Sequence, residues 1–317
     1  MKTVLVTGGA GFIGSHLCER LLKNSRVNRV ICVDNLDPSY PVKYKKENLA
    51  LLKNKKFKFY KVDIRDLKKL TQIFKKEKPD YVVHLAAKTD TRSSVREPHE
   101  HQSVNVLGTL NLLELSKQNV KKFVFISSSS VYGNSTRPPF RETDMYNEPL
   151  APYGATKIAG EILAHTYFFN YGLPVVCLRL FNAYGPRMRP QLVLYRWVEN
   201  ILNGSTIELS GTGTRKRDFT HVSDIVDAIM RAFERGTGYD ILNIGNSKPN
   251  SLKELLKIVE GATSKKAKVF QRPSSKASVE VTYADIGRAR KVLGWKPKVS
   301  MKEGVSKFVS WFRKNRL

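Results

Sequence analysis

At 317 residues the chain has material for one large domain or two smaller ones, with an ample core. It carries 55 Lys and Arg against 28 Asp and Glu, a formal net charge of +27. No run of 18 or more apolar residues occurs, and the first residues lack the charged and apolar regions of a leader, which argues against a membrane-spanning helix and for a soluble, cytoplasmic protein.

In chain order, an apolar strand near 2 to 7 runs into Gly8, Gly9, Gly11 and Gly14, and an amphipathic helix follows from Phe12 to about Lys23. Gly9, Gly11 and Gly14 have the G-x-G-x-x-G spacing, and Gly8 adds a second reading as G-x-x-G-x-x-G. Glycines permit the tight turn and the close backbone approach, while a helix N-terminus presents unpaired N–H groups to a pyrophosphate. A second strand, near 29 to 33, ends at Asp34, which follows Gly14 by 20 residues and is placed to accept hydrogen bonds from adenosine ribose hydroxyls. A carboxylate there repels a 2′-phosphate, so the expected cofactor is NAD rather than NADP. Cys18, Cys32 and Cys177 are odd in number and lack metal-ligand spacing, as expected of a reducing compartment without a disulfide framework.

Strands near 57 to 61, 81 to 85, 122 to 126 and 174 to 180 alternate with helices near 43 to 53, 66 to 77, 101 to 119 and 152 to 171. This alternation predicts an α/β fold, a Rossmann-type doubly wound parallel sheet. Gly8 to Gly14, Asp34, Asp63, Ala86, Ala87, Ser128 and Asn182 each lie just beyond the carboxyl end of a strand, the edge where such sheets bind ligands. The helix that opens at Pro152 carries Tyr153 and Lys157 four residues apart on one face, and an ammonium beside a phenol favours the phenolate. With Ser128 at the end of the fifth strand, these three form a candidate catalytic set. After residue 183 Gly and Pro punctuate helices near 192 to 202, 223 to 234, 251 to 260, 285 to 293 and 302 to 314. The expected division is a cofactor domain over 1–182, joined by a strand near 240–245, and a smaller C-terminal substrate domain over 183–317. Runs such as Lys53, Lys55, Lys56, Lys58 and Lys61 read as solvated faces, with nonspecific attraction to nucleic acid or an anionic membrane as the alternative.

Along nearly its whole length the chain resembles the extended short-chain dehydrogenase/reductases of the NAD-dependent nucleotide-sugar epimerase/dehydratase group. The matching pieces include Thr7 through Gly14, Val33-Asp34-Asn35-Leu36, Val62 through Asp66, His84-Leu85-Ala86-Ala87, Asn105 through Thr109, Ser127 through Gly133, Tyr153 through Lys157, Phe181 through Arg187, Arg217-Asp218-Phe219 and Leu293-Gly294-Trp295. The resemblance implies NAD held by Gly8, Gly11, Phe12, Ile13, Gly14, Asp34, Asn35, Asp63, Ile64, Leu85, Ala86, Ala87, Asn105, Tyr153 and Lys157. Within that set Asp63 and Ile64 would hold the adenine, Lys157 the nicotinamide ribose, and Asn105 would help order the site. Asn182, Arg217 and Arg272 would grip the substrate diphosphate, and Arg92, Ser128, Ser129 and Arg189 are further substrate candidates, with Arg187 a weaker one. No metal is expected, and relatives commonly pair as homodimers through two helices, here near 101 to 119 and 152 to 171.

The serines discriminate among reactions. Similar dehydratases place an acid and a base before Val-Tyr-Gly, where this chain has Ser128, Ser129 and Ser130. An unassisted serine hydroxyl cannot remove a carbon-bound proton, so dehydration is disfavoured and 4-epimerisation of a UDP-sugar remains. UDP-glucose/UDP-galactose is the first expectation. UDP-glucuronate is the alternative, because Arg189-Pro190 and Lys216 through Thr220 resemble the glucuronate 4-epimerases, although those tend to carry Thr where this chain has Asn182. Ser274 and Ser275 stand where the family often has Gly-Asp. A remote alternative of another class is an inactive, RNA-binding relative, motivated by the charge and opposed by the intact Ser128, Tyr153 and Lys157.

Overall fold

The computed structural model describes residues 2–134, 137–144, 148–273 and 280–317, so Ser274 and Ser275 lie outside the described residues. The first half runs β1 (Lys2–Thr7), α1 (Phe12–Leu22), β2 (Val27–Val33), α2 (Val42–Ala50), β3 (Phe57–Tyr60), α3 (Leu67–Glu77), β4 (Tyr81–His84), α4 (Thr91–Arg96), α5 (Pro98–Gln102), a π-turn (Ser103–Leu107), α6 (Gly108–Ser116) and β5 (Lys122–Ser128). The second half runs α7 (Pro152–Tyr171), β6 (Val175–Leu180), β7 (Asn182–Tyr184), α8 (Val193–Leu202), β8 (Thr206–Ser210), β9 (Lys216–Arg217), β10 (Phe219–His221) and α9 (Val222–Glu234). It ends with β11 (Tyr239–Ile244), β12 (Asn250–Ser251), α10 (Leu252–Thr263), β13 (Lys268–Arg272), β14 (Val281–Thr282), α11 (Gly287–Leu293) and α12 (Met301–Arg316).

Seven strands form one parallel sheet in the order β11-β6-β5-β4-β1-β2-β3. Helices cover both of its faces, so the inner strands must be apolar on both sides. Val4, Leu5 and Val6 of β1 and Phe123, Val124 and Phe125 of β5 are accordingly all buried. Leu17 and Leu21 of α1 pack on one face with α8, α9 and α12, whereas Leu70, Ile73, Leu112, Leu113 and Ala164 pack α3, α6 and α7 on the other. Strand order reverses at β1 and β4, which opens a crevice at the carboxyl edge.

Local signals explain the element ends. Asp66 caps α3 by accepting a hydrogen bond from Lys69 N, α7 starts on Pro152 and stops at left-handed Gly172, and Ser251 with Glu254 closes a capping box on α10. Two differences from the sequence expectation are instructive. The helix expected over 101–119 begins earlier and is broken at Pro98 and at the π-turn, because Pro98 has no N–H to continue α4 and Asn105 spends its side chain on another loop. Beyond residue 183, strands of two to five residues pair locally as β7 with β10, β8 with β13, and β9 with β12 and β14. They are too short for any alternation to reveal. No helix among the described residues is long and apolar enough to cross a membrane.

Candidate active site

A cleft of about 760 Å³ runs along the carboxyl edge of the sheet. Its walls include Gly8, Gly11, Phe12, Ile13 and Gly14 after β1, Asp34 and Asn35 after β2, Asp63 and Ile64 after β3, and Leu85, Ala86 and Ala87 after β4. Ser128, Ser129, Tyr153, Lys157, Asn182, Arg92, Arg189 and Arg217 complete the predicted residues that line it.

The glycine loop is a cradle that side chains would fill. A Cβ on Gly14 would lie 2.2 Å from Gly8 O, and one on Gly8, whose φ is +70°, would lie 2.8 Å from Ala86 N. No side chain caps α1, so its first N–H groups remain open to a pyrophosphate. Asp34 accepts hydrogen bonds from Leu36 N at 2.8 Å and Ala10 N at 3.1 Å, and Lys45 Nζ stands 4.0 Å away. Burial pushes the Asp34 carboxyl up, while Lys45 and those two N–H groups pull it back. Arg65, with Asn35 at 2.9 Å, holds the Asp63 carboxyl down at about 2. These residues fit a dinucleotide with free ribose hydroxyls.

At the other end, Ser128 Oγ, whose hydroxyl pulls the Tyr153 phenol down, donates to Ser130 Oγ at 3.1 Å and accepts from Ser130 N at 3.1 Å. Lys157 Nζ donates to Ile126 O at 2.7 Å and lies 4.9 Å from the centre of the Phe125 ring. Burial lowers the Lys157 ammonium to about 8. The expectation that the Lys157 ammonium favours the Tyr153 phenolate needs correction: burial raises that phenol, and the groups that pull it down are Ser128 and Arg189. The phenol is too deeply desolvated for one neighbouring charge to reverse the effect, and Lys157 spends its donor on a carbonyl.

Three predicted residues lie elsewhere. Asn105 is buried behind the wall, where its Oδ1 accepts from Lys88 N at 2.8 Å and its Nδ2 donates to Lys88 O at 2.9 Å and Thr156 Oγ1 at 3.0 Å, tying the loop after β4 to α7. Arg272 is outside the lining, on β13, paired with Glu208 at 3.0 Å. Arg187 also stays outside and joins the loop after β7 to α1 through Glu19 and His16. Sequence reasoning missed Tyr40, Lys45, Asp37 and Lys88. Lys45 is nearly buried beside Asp34, and Lys88 pairs with Asp37 at 3.0 Å across the cleft wall. Among Lys43, Lys45 and Lys46 only burial singles out the middle one, so no sequence signal existed to find it.

Residues 5–308 match the family described as GDP-mannose 4,6 dehydratase. The chain is 41% identical over 318 residues to the UDP-glucuronate 4-epimerase of Thermodesulfobacterium geofontis, across 99% of this chain and 97% of that one. Among solved structures it is similar to UDP-glucose 4-epimerase with UDP-glucose from Thermotoga maritima, with a TM-score of 0.91 and 36% identity over 98% of this chain and 99% of that one. It is equally similar to UDP-glucuronic acid 4-epimerase from Bacillus cereus in complex with UDP-glucuronic acid and NAD, with a TM-score of 0.91 and 35% identity over 98% and 99%.

Proposed function

We propose that this chain, which belongs to the NAD-dependent epimerase/dehydratase family of short-chain dehydrogenase/reductases, is a UDP-sugar 4-epimerase acting on UDP-glucuronate. When bound, NAD supplies a reversible hydride acceptor beside the sugar. Tyr153 takes the proton of the C4 hydroxyl as that carbon is oxidised, with Ser128 and Arg189 favouring its phenolate, and Lys157 would hold the nicotinamide ribose through its ammonium. Ser128 hydrogen-bonds the C4 oxygen as hydroxyl and as ketone. The keto-sugar then turns its other face, and Tyr153 returns the proton to the new C4 hydroxyl. Net redox change is zero.

Elimination of water is not expected despite the family's dehydratase members. The carboxylates lining the cleft are Asp34, Asp37, Asp63 and Asp90, all on loops after β2, β3 and β4, and none is among the groups that act on Tyr153.

The observation that carries the choice of sugar is Arg189. It lines the cleft, and its charge is felt at the Tyr153 phenol as well as at Tyr40 and Lys45. A sugar whose C4 hydroxyl meets Tyr153 has its C5 substituent one carbon away. A carboxylate there gains from the guanidinium, and a neutral hydroxymethyl gains little. Relatives named as UDP-glucuronate 4-epimerases support this reading. A second reading, UDP-glucose/UDP-galactose, is favoured by Asn182 in the cleft wall and by the likeness to the Thermotoga maritima enzyme.

The test is conversion of each UDP-sugar by the wild type and by Arg189→Met, with products resolved by NMR. The account expects UDP-glucuronate to be converted in preference, and the variant to lose roughly 10- to 100-fold on it, the value of a hydrogen bond to a charged group, with little change on UDP-glucose. Faster wild-type conversion of UDP-glucose, or equal losses on both sugars, would move the assignment to the second reading.

A further inference from the structure

The helix that supplies Tyr153 and Lys157 carries a third residue on the same face, Glu161, one turn further from the cleft. Glu161 is only 3% exposed and faces Arg179 of β6, which is fully buried. Arg179 Nε donates to Glu161 Oε1 at 2.9 Å and Nη2 to Oε2 at 2.7 Å, a two-pronged pair. Ser127 Oγ donates to the same Oε1 at 2.5 Å. Arg179 Nη1 also donates to the Tyr132 hydroxyl at 3.0 Å, which donates in turn to Asn243 Oδ1 at 2.6 Å. The network therefore joins β5, α7, β6, β11 and the turn after the serines, and neither Glu161 nor Arg179 lines the cleft.

A buried ion pair is expensive to desolvate and is weak support for stability by itself. Its placement gives it a task. Lys157 is faced by Glu161 from α7, Cys177 from β6, His84 from β4 and the Phe125 ring from β5. Burial keeps the Cys177 thiol and the His84 ring neutral, so among these groups Glu161 is the anion. Glu161 itself is faced by Arg179, Ser127, Lys157, Cys177 and Tyr239. Burial pushes its carboxyl up, and the guanidinium, always charged and bonded through two N–H groups, demands the carboxylate form.

We infer that Glu161, paired with Arg179, is a positioning residue for the reaction: its carboxylate holds the charge on Lys157 and, through Ser127, fixes the strand end that carries Ser128. The inference rests on the Tyr153/Lys157 mechanism above, so its test reads the lysine directly as well as turnover.

Replacing both charges, in Glu161→Met with Arg179→Met, avoids stranding one of them and is the exchange that buried ion pairs tolerate best. Glu161→Asp is the conservative control that keeps the charge. NMR titration of the side-chain carbon next to the Lys157 nitrogen should show the double variant deprotonating about one unit lower than wild type, and Glu161→Asp close to wild type. The alkaline limb of kcat/KM should move down by the same amount, with NAD and UDP affinity unchanged. If the lysine shifts while no sugar is turned over by any variant, the charge assignment stands and the functional reading fails. A folded double variant whose Lys157 titrates as in wild type overturns the inference, as does a lower kcat with an unmoved pH profile.

Discussion

At the residue scale, the proposed reaction turns on two side chains that burial treats oppositely. It raises the Tyr153 phenol and lowers the Lys157 ammonium to about 8. Lys157 is cationic below about 8 and neutral above it, so the charge proposed to hold the nicotinamide ribose is present at neutral pH and lost as pH rises. The profile of kcat/KM, which reports ionisations of the free enzyme, should fall with an alkaline limb near 8. A rate that stays level to pH 10 would remove Lys157 from this role. Ser128, Tyr153 and Lys157 were legible as a candidate set once the glycine loop at the N-terminus and Asp34 had marked a dinucleotide site, and all three line the cleft. Lys45 and Glu161 were not, since a buried charge near Asp34 or behind Lys157 looks in sequence like any lysine or glutamate on a helix.

At the scale of elements, α7 has two faces with different tasks. Tyr153, Lys157 and Glu161 point inward, whereas Ile162 and Phe169, two turns apart on the far side, are 59% and 78% exposed. Leu107, at the end of the π-turn before α6, is exposed as well. An apolar stripe of this kind is costly in water and is a candidate surface for a second copy of the chain. We propose a homodimer through α6 and α7, and Phe169→Glu should convert it to a monomer by light scattering on an eluting column. A wild-type protein that elutes as a monomer, or a variant still dimeric, would relocate or remove that interface. The long elements of the sheet were readable from apolar runs, but the short strands from β7 to β10 and from β12 to β14 were not. Their order comes from partners far along the chain, such as Asn250 opposite Arg217 and Val281 beside Lys216.

At the scale of the whole molecule, topology makes one edge of a parallel sheet into a site whose ends do different work. In the proposed complex Asp34 and the glycines would receive the adenosine side, and Ser128, Tyr153 and Arg189 would surround the reacting sugar. The carboxyl-edge pattern visible in the sequence placed Gly8, Gly11, Gly14, Asp34, Asp63, Ala86, Ala87, Ser128 and Asn182 together, and all of these line the cleft. It could not place Arg272, because the strand that carries it is positioned by β8 and not by the main sheet. The large positive charge has a plain location: Lys53, Lys55, Lys58, Lys61, Lys75, Lys76, Lys265, Lys266 and Lys268 are exposed and none lines the cleft. The proposed reaction is transient oxidation at C4 with the same hydrogen returned to the opposite face. UDP-glucuronate carrying deuterium at C4, incubated with the NAD-loaded protein in ordinary water, should give a C4 epimer that keeps its deuterium at C4 and forms more slowly than from unlabelled substrate. Loss of the label to solvent, or a product lacking a molecule of water, would rule this reaction out.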